Sequence, residues 1–233
     1  MDWDQFSTEF TEQLQIYHDY STIPLSALHL EECLHFALKN MNEESNWNTG
    51  SHSIGYDLQV RDKKISVKGT KIFCGKRSNI KAVKCSSFRT TSHPTLEEKL
   101  KFVSDTIKSI DYNLWLLREE STDQIDYTLL KIDNTASVFN IYLYDWSEYF
   151  SKKKEPQGYR GIQPGLKCYI AKKMSDQFWF HVSDLSEFIR MDGVSIINET
   201  TIFTKDLGKR RTIENGIDYS EWNEHVSIVR ENK

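Results

Sequence analysis

Within the stretch GYDLQVRDKKISVKGTKI, residues 55 to 72, Asp57, Ser66 and Lys68 stand at spacings that chemistry can use. Ser66 and Lys68 lie two apart on an alternating run, and side chains alternate across a strand, so these two share a face. Asp57 joins them if the RDKK turn pairs the flanking runs in the register that their apolar residues imply. A carboxylate that holds a divalent ion, with a lysine beside it to stabilise an incoming hydroxide or a crowded phosphate, suits phosphodiester hydrolysis. There an oxygen nucleophile must approach an already anionic phosphorus. The plainer alternative is a cross-strand ion pair between Asp57 and Lys68, worth under about 1 kcal/mol when exposed.

The period of the apolar residues predicts the elements around these three. Trp3, Phe6, Phe10, Leu14 and Tyr17 recur at steps of three and four, predicting an amphipathic first helix. A second helix opens near Pro24 to Ser26 and runs to about Met41 on the stripe Ala27, Leu30, Leu34, Ala37, Leu38 and Met41. The polar run NEESNWNTGSHS closes it with turn residues. The period then falls to two: Ile54, Tyr56, Leu58 and Val60, a turn at RDKK, and Ile65, Val67 and Gly69 predict a hairpin. A third strand follows at about 82 to 90, a helix at about 95 to 109 with Thr95 and Glu98 as a capping box, and a strand at YNLWLLRE. The order is helix, three strands, helix, strand. Farther on, IDYTLLKI and SVFNIYLY predict strands, DWSEYF a short helix, LKCYIAKKM and QFWFHV a second hairpin, DLSEFIR a helical turn, and VSIINETTIFT another strand.

Asp57 with Ser66-Val67-Lys68, set in that order of elements, resembles the core of the PD-(D/E)xK nucleases, the fold of most type II restriction endonucleases. The resemblance covers about residues 24 to 119 and leaves 120 to 233 as elaboration of a single nuclease domain, 1 to 233. It implies an α/β (α+β) fold with a restriction-endonuclease-like core, a central mixed β-sheet flanked by helices. It also implies that Asp57 ligates Mg²⁺, that Val67 lends its carbonyl oxygen as a further ligand, and that Lys68 activates or orients the attacking water. The sequence departs from the family pattern twice: Tyr56 stands where Pro is common, and Ser66 stands where a second acidic ligand is expected. A hydroxyl is a much poorer ligand for a hard cation than a carboxylate. Restriction enzymes of this family that carry SxK take the missing carboxylate from elsewhere in the fold. Here the candidates are Glu31, Glu32, Glu97 and Glu98. On the helical wheel Glu31 lies at the edge of the apolar stripe and Glu32 opposite it, so Glu31 is the one that can look toward the sheet. Glu98 serves as a cap, and Glu97 is a reserve candidate.

The implied activity is Mg²⁺-dependent, sequence-specific cleavage of double-stranded DNA, by a homodimer where the site is palindromic. The alternatives are a non-catalytic DNA-binding or DNA-sensing module on the same fold and a monomeric nicking or repair nuclease. Charge distribution bears on all three. The net charge is -4, yet residues 61 to 89 hold Arg61, Lys63, Lys64, Lys68, Lys71, Lys76, Arg77, Lys81, Lys84 and Arg89 against Asp62. That layout suits either a nucleic-acid face or a solvated basic loop. Lys71, Lys76, Arg77, Lys81, Lys84 and Arg89 are expected along the phosphate backbone, and Arg77, Asn79, Arg89 and the Thr90-Thr91-Ser92-His93 run include types that read base edges. Lys209, Arg210 and Arg211 form a second patch, a clamp on the duplex or a solubilising loop. RNA is a weaker alternative partner, since no RNP-like aromatic motif accompanies the basic segment.

Other features are ordinary. His52 is expected to be an exposed loop residue; Trp115, Phe178, Trp179, Phe180, Tyr142, Tyr144 and Trp146 are expected in the core rather than as stacking platforms. Cys33, Cys74, Cys85 and Cys168 are scattered without a CxxC pair, which predicts reduced, structural thiols. No Walker loop, GxSxG or GxGxxG after a strand is present. Hydrophobic residues make up 38% of the 233-residue chain, no linker divides it and no apolar run is long enough to span a bilayer. The start, MDWDQFSTEF, is acidic, unlike a signal peptide, so an intracellular protein is expected, and the resemblance to restriction endonucleases implies the cytoplasm of a prokaryotic cell.

Overall fold

The computed structural model describes residues 1–47, 56–74, 80–151, 153–172 and 175–209. Helix α1 (Trp3–Tyr20) begins where the Asp2 carboxylate accepts from the backbone N–H groups of Asp4 and Gln5, and α2 (Ala27–Asn40) begins behind Ser26. Phe6, Phe10 and Leu14 of α1 meet Leu30, Leu34 and Ala37 of α2 in one hydrophobic cluster. Strands β1 (Ser45–Trp47), β2 (Leu58–Val60), β3 (Lys63–Cys74) and β4 (Lys81–Arg89) follow, then α3 (Leu96–Lys108) and β5 (Tyr112–Glu120). Thr95 and Glu98 form the predicted capping box at the start of α3.

This is the predicted order with one strand added. β1 lies in the run expected to be turn; it pairs antiparallel with β2, Ser45 with Val60 and Trp47 with Leu58, and buries Trp47 in the α1–α2 cluster. A distant partner and one indole outweigh the polar composition there.

The rest of the chain is β6 (Gln124–Asp133), β7 (Asp145–Phe150), β8 (Pro156–Gln163), β9 (Leu166–Ala171), β10 (Gln177–Val182), the turn-long α4 (Leu185–Phe188) and β11 (Val194–Phe203). Two expectations fail in this half. SVFNIYLY forms two 3-10 turns, Ser137–Phe139 and Ile141–Leu143, because Val138 and Ile141, three apart, are both buried on one side. DWSEYF is a strand, not a helix: it pairs along β8, and Trp146 lies over Gly161, where an added Cβ would fall 2.7 Å from the ring.

The described strands form one mixed sheet in the order β11-β6-β5-β3-β4-β10-β9-β8-β7, with β2 and then β1 attached to β3. β3 and β5 run parallel, joined through β4 and α3; the other pairs among the described residues are antiparallel. α1 and α2 cover one face of the β3-β5-β6 half through Ile65, Val67, Leu114, Leu116 and Leu129. On the opposite face α3, α4 and the 3-10 turns enclose a second cluster containing Trp115, Leu130, Phe178 and Phe180. The protein is thus a mixed α/β fold with a central mixed sheet flanked by helices. Among the described residues no helix is long and apolar enough to cross a membrane.

The site depends on one property of this sheet. The ladder of β3 with β2 ends at Ile65, and its ladder with β4 begins only at Ile72. Between them β3 faces a fork, and Ser66 and Lys68 sit in it.

Candidate active site

Asp57 stands immediately before β2, held by its own N–H, which donates to the Ile65 carbonyl at 2.9 Å. Leu58 pairs with Ile65, so Asp57 falls opposite Ser66, as the apolar alternation predicts. Its Oδ2 accepts from the Val67 N–H at 2.6 Å, from Lys68 Nζ at 3.0 Å and from Ser66 Oγ at 3.3 Å. Lys68 Nζ donates in addition to Ser66 Oγ at 3.0 Å and to the Val67 carbonyl at 2.7 Å. One ammonium therefore rests on three oxygens: carboxylate, hydroxyl and peptide carbonyl. The Lys68 and Asp57 side chains remain 22% and 29% exposed, so a ligand in solvent can reach them.

Glu31 approaches from α2, where its Oε2 accepts from Trp47 Nε1 at 3.2 Å. Burial pushes its carboxyl pKa up; the Trp47 hydrogen bond opposes this, the Asp57 charge adds to it and the Lys68 charge lowers it. Glu31 thus lies within the electrostatic field of both other charged groups.

The remaining glutamates do other work. Glu32, placed opposite the stripe by the helical wheel, is buried, because α1 covers that side of α2: its charge acts on Cys33 and Tyr17. Glu98 Oε2 accepts from the Thr95 N–H and hydroxyl. Glu97 is exposed and acts on Tyr142.

One neighbour escaped sequence reasoning. Asn113 of β5 stands in register with Ser66, is 4% exposed, and its Nδ2 meets no acceptor among the described residues. The signal was an amide inside the apolar run YNLWLL.

The fold brings acids to much of the basic segment. Arg61 pairs with Glu43, Lys63 with Asp111, Lys71 with Glu120 and Lys81 with Glu119, while Lys64 lies over the Tyr56 ring. Among the expected DNA contacts, Lys84 and Arg89 are exposed and form no ion pair among the described residues, and Lys209 pairs with Asp206. Lys76, Arg77, Asn79, Arg210, Arg211 and also His52 lie outside the described residues. Thr90 and Thr91 are spent on the carbonyls of Asp176 and Ser175, and His93 stacks on Phe102.

Trp115, Phe178, Phe180 and Tyr144 are buried as expected, with Trp146 packed against them. Trp179 and Tyr142 are not: Trp179 is half-buried on the other face of β10, and Tyr142 is exposed. The cysteines form no disulfide; Cys33, Cys85 and Cys168 are buried, and burial pushes the Cys85 thiol up to about 12.

The donors at the fork are hard oxygens, the Asp57 carboxylate, the Val67 carbonyl and the Ser66 hydroxyl, and the Glu31 carboxylate on Trp47 Nε1 is near enough to act on the charges of Asp57 and Lys68. Mg²⁺ needs one or two carboxylates and keeps several waters, so this set fits it. No cluster of three or more His, Cys, Asp or Glu side chains with metal-ligand spacing occurs among the described residues. No family model matches the chain, and no curated protein or solved structure matches it either.

Proposed function

We propose that the chain is a Mg²⁺-dependent, sequence-specific endonuclease on double-stranded DNA, of the restriction-endonuclease-like fold, acting as a cytoplasmic homodimer. The observation that carries this reading is the ammonium of Lys68 seated on Asp57 Oδ2, Ser66 Oγ and the Val67 carbonyl, at a fork in the sheet and within the field of Glu31. The parallel β3–β5 pair across the β4–α3 connection supports it.

Asp57, Glu31 and the Val67 carbonyl would hold the ion, with Ser66 as a weak additional donor. Bound there, a divalent ion supplies charge neutralisation at phosphorus and a more acidic water. Lys68 donates to the attacking oxygen or to a non-bridging phosphate oxygen, holding charge where it grows in the transition state. The Val67 N–H and Ser66 hydroxyl keep the Asp57 carboxylate oriented. The proton that the attacking water loses would pass to solvent, since the Glu31 carboxylate is taken up by the ion. The oxygen–phosphorus bond forms as the opposite ester bond breaks, and solvent protonates the leaving oxygen.

A second reading is favoured by Ser66 standing where an acid is expected and by Asp57 already paired with Lys68: a module that binds DNA without cutting it. Incubating the protein with unmethylated phage DNA in Mg²⁺ or EDTA, beside Lys68→Ala, separates the two. Hydrolysis predicts discrete fragments in Mg²⁺, none in EDTA, and a rate about 100-fold lower or less in the variant. Intact DNA in Mg²⁺ together with a metal-independent mobility shift would sink the nuclease reading.

A further inference from the structure

The far half of the sheet has one face that neither hydrophobic cluster uses. Along β10 the buried Phe178, Phe180 and Val182 alternate with the half-buried Gln177, Trp179 and His181. The register carries that outer face across the neighbours: Trp179 beside Tyr169, His181 beside Lys167 and Lys84, Tyr169 beside Arg160. Phe73 follows Ile65, Val67 and Gly69 at even spacing on β3, and a Cβ at Gly69 would meet Ala27 and Leu30 of α2. The outer face is therefore the α1–α2 side of the sheet, beyond the described helices that cover its other half.

Rings run across this face in an unbroken series. Tyr149 and Tyr169 lie 5.7 Å apart, Tyr169 and His181 6.2 Å, and His181 and Phe73 5.9 Å, with Lys84 Nζ 5.4 Å from the Phe73 centroid. From β7 to β3 that is five strand spacings, roughly 24 Å.

Its charge is one-sided. Lys84, Lys167 and Arg160 make no ion pair among the described residues, while Asp145 stands at one corner and Lys71, two before Phe73 on the same face of β3, pairs with Glu120. Burial holds the His181 pKa below its usual value, and the charges of Lys84 and Lys167 lower it further. Arg160 Nε and Trp179 Nε1 are buried donors without acceptors among the described residues.

A core does not need cations threaded between rings, and a solvated face does not need rings. We propose that this face binds single-stranded nucleic acid, its bases stacking on Tyr149, Tyr169, Trp179 and Phe73 and its phosphates meeting Lys84, Lys167 and Arg160. In a duplex the base faces are already stacked on one another, so the rings select unpaired strands. Lys84 was also expected along DNA at the Asp57 site, but none of these side chains bonds to Asp57, Ser66 or Lys68, and the inference stands whether or not that site hydrolyses DNA.

The test is fluorescence anisotropy in EDTA, so that cleavage plays no part. Labelled dT15, rU15 and a 15-base-pair duplex are titrated with the protein, with a Tyr169→Ala/Trp179→Ala variant and with a Lys84→Gln/Lys167→Gln variant whose changes lie outside both cores. The expected result is binding of an unpaired strand tighter than the duplex, weakened about tenfold or more by the ring variant. The lysine variant should weaken it and flatten its dependence on salt. The tighter of dT15 and rU15 supports the inference and names the sugar. Equal affinity of wild type and both variants for dT15 and rU15 would overturn it, as would a wild-type dimer that the ring variant renders monomeric, since a second copy would then be the occupant.

Discussion

Asp57 accepts three hydrogen bonds on one oxygen, and Glu31 lies near enough to feel its charge. An exposed cross-strand ion pair requires neither feature. The arrangement carries a cost that a stability measurement can read. The folded-state pKa of Glu31 is raised, so its favourable contribution is complete below the unfolded pKa and is lost as pH rises through the folded value. Ionised Glu31 therefore destabilises the free protein at neutral pH. Replacing it by Gln leaves an oxygen for Trp47 Nε1 and removes the charge. Calorimetry without divalent ions should give Glu31→Gln a higher Tm than wild type at pH 7, with the gap closing as pH falls below the ordinary carboxylate range, and cleavage should fall in the same variant. A Tm at pH 7 equal to or below that of wild type would mean that Glu31 is a structural acceptor only. At this scale the sequence was legible where spacing decides: alternation put Asp57, Ser66 and Lys68 on one face. It was not legible for Asn113, whose importance comes from a strand about fifty positions away that runs parallel to its own.

Elements were readable where local periodicity and caps agree, as in α1, α2, the β2–β3 hairpin, and α3 with its Thr95–Glu98 box. They were unreadable where pairing with a distant strand outweighs composition. β1 looks like turn, β7 has an apolar spacing that also fits one helical turn, and β8 carries Pro156, Gly158 and Gly161. Those glycines mark close approaches rather than breaks. A Cβ at Gly161 would lie 2.7 Å from the Trp146 ring, whereas one at Gly69 would meet Ala27 and Leu30 of α2 no closer than 3.5 Å. Gly161→Ala must displace an indole packed on the second core and should cost about 1–3 kcal/mol in denaturant unfolding. Gly69→Ala makes only ordinary contacts and should be near neutral. Equal losses in the two would show that Trp146 is free to move and that β7 is loosely docked.

For the whole molecule the decisive correction concerns charge. Along the chain, residues 61 to 89 look like an uncompensated basic block; in the fold Glu43, Asp57, Asp111, Glu119 and Glu120 meet five of its cations. No sequence window reveals this, because the acids arrive from α2's exit, the turn before β2, and both ends of β5. The same cause hid the aromatic and basic face beyond α2, whose members lie on β3, β4 and β7 through β10.

If the oxygens under Lys68 form a cation site rather than one half of an ion pair, metal binding reads it without any recognition sequence. The measurement is calorimetric titration of Mn²⁺ into wild type, Lys68→Ala and Asp57→Asn. A metal site predicts that Lys68→Ala, freed of a competing ammonium, binds Mn²⁺ more tightly than wild type, on the order of tenfold, and that Asp57→Asn loses binding. Absence of binding in all three, or identical binding in all three, would contradict the account and leave Asp57 and Lys68 as a structural pair.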